Sequence, residues 1–185
     1  MNYFDNFILA PYIMKATGLI GVSRKVGGNQ FRHSFATLGI LLDYKYFNDP
    51  ILLKASLLHD LIEDLHLKEL DEIRNLDHDG YAVVALVQEV TRDEDKETKP
   101  EYLERLKNAS RNAKILKCAD RISNLTDLHL DTHTSGKISQ YLDQTEQYIL
   151  PLAREVNPDF EKELIDLIIK RRTLCMNTFL NGNVD

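Results

Sequence analysis

The sequence predicts an all-α domain, a bundle of about eight or nine helices, on three observations. Apolar residues recur with a helical period through most of the chain. No hairpin signal of the Asn-Gly type separates two alternating runs; Asn181-Gly182 lies at the terminus, where no second strand could follow. Helix-start signals are explicit, the strongest being Asp49 followed by Pro50. With 185 residues the chain can bury one full core and is short for two, so residues 1–185 read as a single domain.

In chain order, Tyr3–Leu19 is helical in period but interrupted by Pro11, and Gly21–Arg32 is a polar, glycine-containing loop. A helix is expected over Ser34–Phe47. The next, capped by Asp49, carries Ile-Leu-Leu-Lys-Ala-Ser-Leu-Leu-His-Asp-Leu-Ile-Glu-Asp as one unbroken unit. Shorter helices follow near Leu67–Asn75 and Gly80–Thr91. The charged stretch Arg92–Lys99 reads as a surface loop, with Pro100 opening the helix after it. Asn112–His129 is a strong helix, Asp131–Gly136 a loop, and amphipathic helices at Lys137–Val156 and Pro158–Leu180 close the domain.

Composition narrows the function classes. A hydrophobic content of 43% with 28% charged residues excludes disorder, and no apolar run approaches the roughly 20 residues of a membrane span. The N-terminus has no basic region before Pro11, so no signal peptide is expected; Cys118 and Cys175 read as reduced core thiols of a cytoplasmic protein. A net charge of −6 argues against a nucleic-acid partner but leaves room for a small phosphorylated substrate held by local cations and a metal.

The helix from Ile51 to Ile62 is apolar nearly all round, yet His59, Asp60, Glu63 and Asp64 are set into its end. Spacings of four put these side chains on one patch. Three carboxylates and an imidazole there are costly and mutually repulsive unless a divalent cation compensates them. A His-Asp pair alone would be a solvated helix end; the full His-Asp-x-x-Glu-Asp pattern, embedded in Leu and Ile, outweighs that reading. On the helix after Asn112, Ile115, Ala119, Ile122 and Leu125 form an apolar stripe. Lys117, Asp120, Asn124 and Asp127 form a second line, which taken alone is a solvated face. Asp120, however, sits among apolar neighbours and suits a carboxylate reaching inward. His33, at the end of the glycine-bearing loop, can point back across the bundle. His66, His78, His129 and His133 are assigned no role, with His66 and His78 on the surface. His33, His59, Asp60 and Asp120 make a mixed N/O donor set suited to Mn²⁺, Fe²⁺ or Zn²⁺. Glu63 and Asp64, one turn on, are placed to hold or deprotonate a water.

The order His33, His59-Asp60, Asp120 matches the H…HD…D signature of the HD phosphohydrolase superfamily, and the finer pattern resembles the RelA/SpoT-type alarmone hydrolases. His-Asp-Leu-Ile-Glu-Asp at 59–64 resembles their HDxxED motif, residues 116–128 their K-x-A-D-[RK]-x-x-N-[LM] motif, and 86–92 the segment joining them. Arg24-Lys25, nine residues before His33, matches the family's basic pair at the guanosine end of its site. The likeness covers about residues 20–130, with further helices over 137–180, and is similar to the stand-alone metazoan SpoT homologues.

The resemblance implies an HD-domain fold and Mn²⁺ bound by His33, His59, Asp60 and Asp120. It implies water activation by Glu63 and Asp64, and substrate contacts from Arg24, Lys25 and Asn124. The implied reaction removes pyrophosphate from the 3′ position of (p)ppGpp, a small-molecule nucleotide. The alternatives are an HD phosphohydrolase acting on an adenosine alarmone or on the 2′-phosphate of NADPH, and a non-catalytic alarmone-binding regulator. The family's Gly-x-Pro-Tyr-x-x-His-Pro stretch is here Gly28-Asn29-Gln30-Phe31-Arg32-His33-Ser34, without either proline. Leu65 stands where Thr is common, and Asp127 where several members carry a small or uncharged residue.

Overall fold

Pro11 has no N–H to offer, and the first turn of a helix is where none is needed. Accordingly α1 (Ala10–Ala16) begins around Pro11 instead of being interrupted by it. A computed structural model describes residues 9–67 and 69–181, with side chains as far as residue 174. The expected helix over Tyr3–Ile8, Cys175 and the Asn181-Gly182 pair thus lie wholly or partly outside the described residues.

After a 3₁₀ turn at Thr17–Gly21 the chain forms a pinned loop. Gln30 N–H donates to Val22 O at 2.9 Å and Arg24 N–H to Gly28 O at 3.2 Å, around Gly27 and Gly28 at φ +87° and +71°. Only glycine adopts such angles freely, so the pair lets the loop double back and present Arg24 and Lys25.

The helix expected from Ser34 begins four residues earlier: α2 is Gln30–Asp43. Asn29 caps it, its side chain accepting from Arg32 N–H at 3.0 Å. Asp49 caps α3 (Pro50–Leu58) as expected, accepting from Leu52 N–H at 2.9 Å. The predicted unbroken helix through residue 64 is not formed. It breaks at His59-Asp60, and a single turn, α4 (Leu61–Asp64), follows.

A second turn, α5 (Asp71–Arg74), leads to α6 (Gly80–Val90). At Gly80 a Cβ would lie 2.3 Å from Arg74 O, so nothing larger fits. α7 (Lys99–Arg105) has Pro100 in its first turn and a Thr98–Glu101 capping box. α8 (Arg111–Asp127) is capped by Ser110.

The expected Lys137–Val156 helix is three pieces: α9 (Ser135–Gln144), a π turn at Thr145–Ile149 and α10 (Leu150–Val156). Pro151 cannot donate back along the rod, and just before it Leu150 N–H reaches five residues back to Thr145 O. α11 (Pro158–Asn181) ends the described chain. Among the described residues there is no strand, only an isolated bridge between Ser23 and Asn29, and no helix is long and apolar enough to cross a membrane.

α8 lies at the centre, packed on α2, α3, α6, α10 and α11. Its predicted stripe (Ile115, Ala119, Ile122 and Leu125) is buried, and so is Cys118, whose thiol burial pushes well up. One buried charge in α3 is fully answered: Lys54, 1% exposed, donates to Asp77 Oδ2 at 2.7 Å and Asp79 Oδ2 at 2.6 Å. Tyr12 O–H donates to the other Asp77 oxygen at 2.7 Å.

Candidate active site and metal centre

Three elements aim side chains at one point: His33 from the first turn of α2, His59 and Asp60 from the α3–α4 break, and Asp120 from α8. The Nε2 atoms of His33 and His59 lie 3.2 Å apart. Asp60 Oδ2 is 3.2 Å from His59 Nε2 and 3.5 Å from that of His33; Asp120 Oδ1 is 3.7 and 3.1 Å from them. His33, His59 and Asp60 each offer a ligand atom within 4.8 Å of the others.

The far sides of both rings are held. His59 Nδ1 sits 2.8 Å from Ser56 O, an atom that only accepts, so the proton is on Nδ1 and the Nε2 lone pair faces the cluster. His33 Nδ1 meets Ser123 Oγ at 2.9 Å. Two ring nitrogens this close, flanked by carboxylates in a buried site, fit a divalent cation, and Nδ1 contacts of this kind are the orienting bonds that ligating histidines carry. The carboxylates draw positive charge to this point: burial opposes charging His59, but Asp60 and Asp120 outweigh it and push the ring up to about 10, so a cation bound here takes the place of the Nε2 proton. Burial opposes ionising Asp120 too, yet Lys117, 2.7 Å from Oδ2, and the two histidines hold it well below the usual carboxylate range.

The second acidic group, Asp77, His78 and Asp79, is different. Lys54 already occupies both aspartates, and His78 is exposed on the surface as expected. His66 is exposed as well.

Glu63 and Asp64 both sit on α4 but meet different surroundings. Glu63 Oε2 lies 3.4 Å from the backbone N–H of Arg92. Asp64 Oδ2 is buried without a hydrogen-bond partner in the protein. Burial and the charge of Asp60 push the Asp64 carboxyl up to about 6.

A cavity of about 770 Å³ has Gln30 and Asn124 in its lining, and Asn124 links it to the cluster. Asn124 Nδ2 donates to Asp120 Oδ1 at 2.6 Å, and Asn124 Oδ1 accepts from Arg24 Nη2 at 2.7 Å. Arg24 thus braces the wall, and Asp127 lies 3.5 Å from its Nη1. Arg24, Lys25, Arg92, Lys99 and Lys137 make the cavity strongly basic within an acidic chain. Burial, then the charges of Lys117 and Arg121, pull Lys99 down to about 8.

Two expectations are corrected here. The line Lys117, Asp120, Asn124 and Asp127 is not the solvated face it would be if taken alone: Asp120 is 4% exposed, Asn124 lines the cavity and only Asp127 stays half open. Nor is Arg92–Lys99 wholly a surface loop, since both end residues line the cavity. His133, given no role from sequence, lines it too, its Nδ1 2.7 Å from Asp131 Oδ1. Lys137 and Tyr141 were also missed; one turn apart on α9, they read as an ordinary polar face. Ser123 had a usable signal, lying three residues past Asp120 on a helix already suspected of facing a metal.

No family model matches the chain. The guanosine-3′,5′-bis(diphosphate) 3′-pyrophosphohydrolase MESH1 of Mus musculus is 32% identical over 151 residues, covering 78% of this chain and 82% of that protein. MESH1 of Homo sapiens is 31% identical over 151 residues with the same coverage, and that of Drosophila melanogaster 34% identical over 132 residues, 68% of this chain and 71% of that protein. A solved structure described as a metazoan ortholog of SpoT that hydrolyzes ppGpp and plays a role in starvation responses superposes with a TM-score of 0.76 at 26% identity. It covers 88% of this chain and 96% of that one. With a buried His/Asp cluster beside a basic cavity on the same all-helical scaffold, the chain belongs to the MESH1 family of guanosine-3′,5′-bis(diphosphate) 3′-pyrophosphohydrolases.

Proposed function

We propose that the protein hydrolyses the 3′-pyrophosphate of guanosine 3′-diphosphate 5′-(di/tri)phosphate, (p)ppGpp, to GDP or GTP and pyrophosphate, with Mn²⁺ held by His33, His59, Asp60 and Asp120. The observation that carries it is the convergence of two imidazole Nε2 atoms and two carboxylates at the edge of a cavity lined with cations. The donors are nitrogen and oxygen with no thiolate, which favours Mn²⁺ over metals that prefer sulfur. When bound, the cation supplies charge neutralisation at phosphorus and acidifies water.

The chain's own residues supply the rest. Asp64, raised to about 6 and with a free buried oxygen, takes a proton from the attacking water, while Glu63 is held at the Arg92 amide on the same turn. Water attacks the phosphorus joined to O3′ and the P–O3′ bond breaks. The O3′ oxygen departs with the ribose and takes up a proton, leaving a 3′-hydroxyl and free pyrophosphate. Asn124, fixed between Asp120 and Arg24, contacts the ribose in this reading, and Arg24 and Lys25, which line the cavity, meet the nucleoside end. Lys99 and Arg92 offer positive charge to the phosphates from the α7 side.

Product analysis of Mn²⁺-loaded protein given ppGpp tests this. Stoichiometric GDP and pyrophosphate are expected, lost on chelation and in Asp64→Ala. No turnover by loaded wild type overturns the alarmone assignment and turns the search to other nucleotides.

A further inference from the structure

Arg121 follows Asp120 on α8 and is 1% exposed, heading the largest fully buried side chains of the domain. Its guanidinium stacks 4.0 Å from the centroid of the Tyr141 ring. Nη1 donates to Thr145 Oγ1 at 2.8 Å and to Tyr141 O at 3.4 Å, and Nε is buried with no partner. Among the described residues no carboxylate pairs with it. The buried lysines differ: Lys54 has two aspartates and Lys114 has Glu155, while the partly buried Lys117 has Asp120.

A buried guanidinium without an anion is costly, and a Met or Leu of similar bulk would tie α8 to the rod at no such cost. The hydrogen bonds to the rod need a donor but not a charge. What only Arg supplies is a permanent positive charge together with a planar face for the Tyr141 ring. That ring lines the basic cavity, and behind it the charge acts through low-dielectric protein. Its field already reaches Lys99, whose own charge it disfavours.

We propose that Arg121 is a positioning residue for a polyanionic substrate: it fixes Tyr141 as a wall of the cavity and sets behind it a charge that the fold leaves unneutralised until phosphates bind. The inference rests on the reading that the cavity takes a nucleotide polyphosphate, and it extends the site to a residue with no place in the metal cluster or the water-activating pair.

The test compares Arg121→Gln and Arg121→Lys in the full-length, Mn²⁺-loaded protein; both keep a donor for Thr145 and only Lys keeps the charge. Calorimetric binding of GDP, with guanosine as the uncharged probe, is read alongside KM and kcat for ppGpp and the melting temperature. Arg121→Gln should weaken GDP binding and raise KM about tenfold, with kcat within about twofold and guanosine binding unchanged. Arg121→Lys should recover most of the GDP affinity. Equal GDP affinities in the two variants, or a lower melting temperature in both with KM as in wild type, would make Arg121 a mere staple and overturn the proposal. Charge-dependent GDP binding without ppGpp turnover in wild type would sink the alarmone reading but sustain Arg121. If wild type binds neither GDP nor ppGpp, the proposal fails.

Discussion

Ser123→Ala removes one oxygen from the far side of the metal cluster, and its effect can be worked from the structure. His33 is 1% and Ser123 3% exposed, and their Nδ1–Oγ contact is 2.9 Å. Water cannot readily replace the hydroxyl, so the variant leaves a buried ring nitrogen without a partner, which costs about 1–3 kcal/mol. The ring also loses the contact that turns Nε2 toward the cluster. A loss of about 1.4 kcal/mol is tenfold in affinity, so Mn²⁺ binding should weaken roughly 10- to 100-fold. Turnover at saturating Mn²⁺ should stay within a few-fold of wild type, because the donors themselves are unchanged. Calorimetric Mn²⁺ titration beside a metal-dependence curve of the rate separates the two, and Ser123→Thr, which keeps the hydroxyl, should restore affinity. An unchanged Mn²⁺ affinity in Ser123→Ala would refute the orienting role of Ser123. A collapsed rate at saturating metal would show that the serine acts elsewhere. His59 offers no equivalent experiment, because its orienting partner is the main-chain carbonyl of Ser56.

Three further outcomes follow from the same geometry. Asp64 must be ionised to accept a proton; burial and the charge of Asp60 raise its carboxyl to about 6 without an ion, and a bound cation offsets the Asp60 charge. Thus kcat/KM should fall tenfold per pH unit along an acid limb that lies no higher than about 6; Asp64→Asn should abolish that limb and cost at least about 100-fold in rate. Lys54→Met strands Asp77 and Asp79 beside an apolar helix and should destabilise by about 3–5 kcal/mol in denaturant titration; a loss below 1 kcal/mol would mean the aspartates find water. In wild type the Asp77 carboxyl is held low by Lys54 and Tyr12 against the burial that raises it. The stability it contributes is therefore present above the ordinary carboxylate range and lost as pH falls through its depressed value. Lys137→Ala should raise KM for ppGpp several-fold at constant kcat and flatten its salt dependence; an unchanged KM would remove Lys137 from the substrate-binding set.

Legibility in the sequence followed the range of the forces involved. Asp49-Pro50 announced α3 because a cap and a ring-fixed φ are local facts, and α8 was legible because its apolar stripe repeats over several turns. The His59-Asp60 half of the buried cluster was recognisable because a histidine and three carboxylates in an apolar helix conflict with burial so openly. The start of α2 was misplaced because Asn29 passed for a loop residue, although its side chain caps the helix and puts His33 in the first turn. The cavity walls were illegible for a different reason. Lys99, Lys137 and Tyr141 come from α7 and α9, and nothing within either segment tells a cation facing a cavity from one facing water. Arg121 looked like any charged residue beside Asp120, and only the arrival of Tyr141 and Thr145 from 20 and 24 residues away closes it in.

The break at His59-Asp60 has a consequence for how this centre can vary. On an unbroken helix, consecutive side chains diverge by about 100°, too wide for neighbours to grip one ion. At Asp60 the backbone turns to φ −97° and ψ −7°, and the two donors close to 3.2 Å. The spacing of the two donor atoms is therefore set in part by the main chain, open to adjustment from residues outside the cluster. Packing under Leu61 or Leu58 could tighten or splay the pair while both donors stay the same. Two chains with identical His-Asp dipeptides could thus differ in the ion size they prefer, and the difference would lie in the leucines.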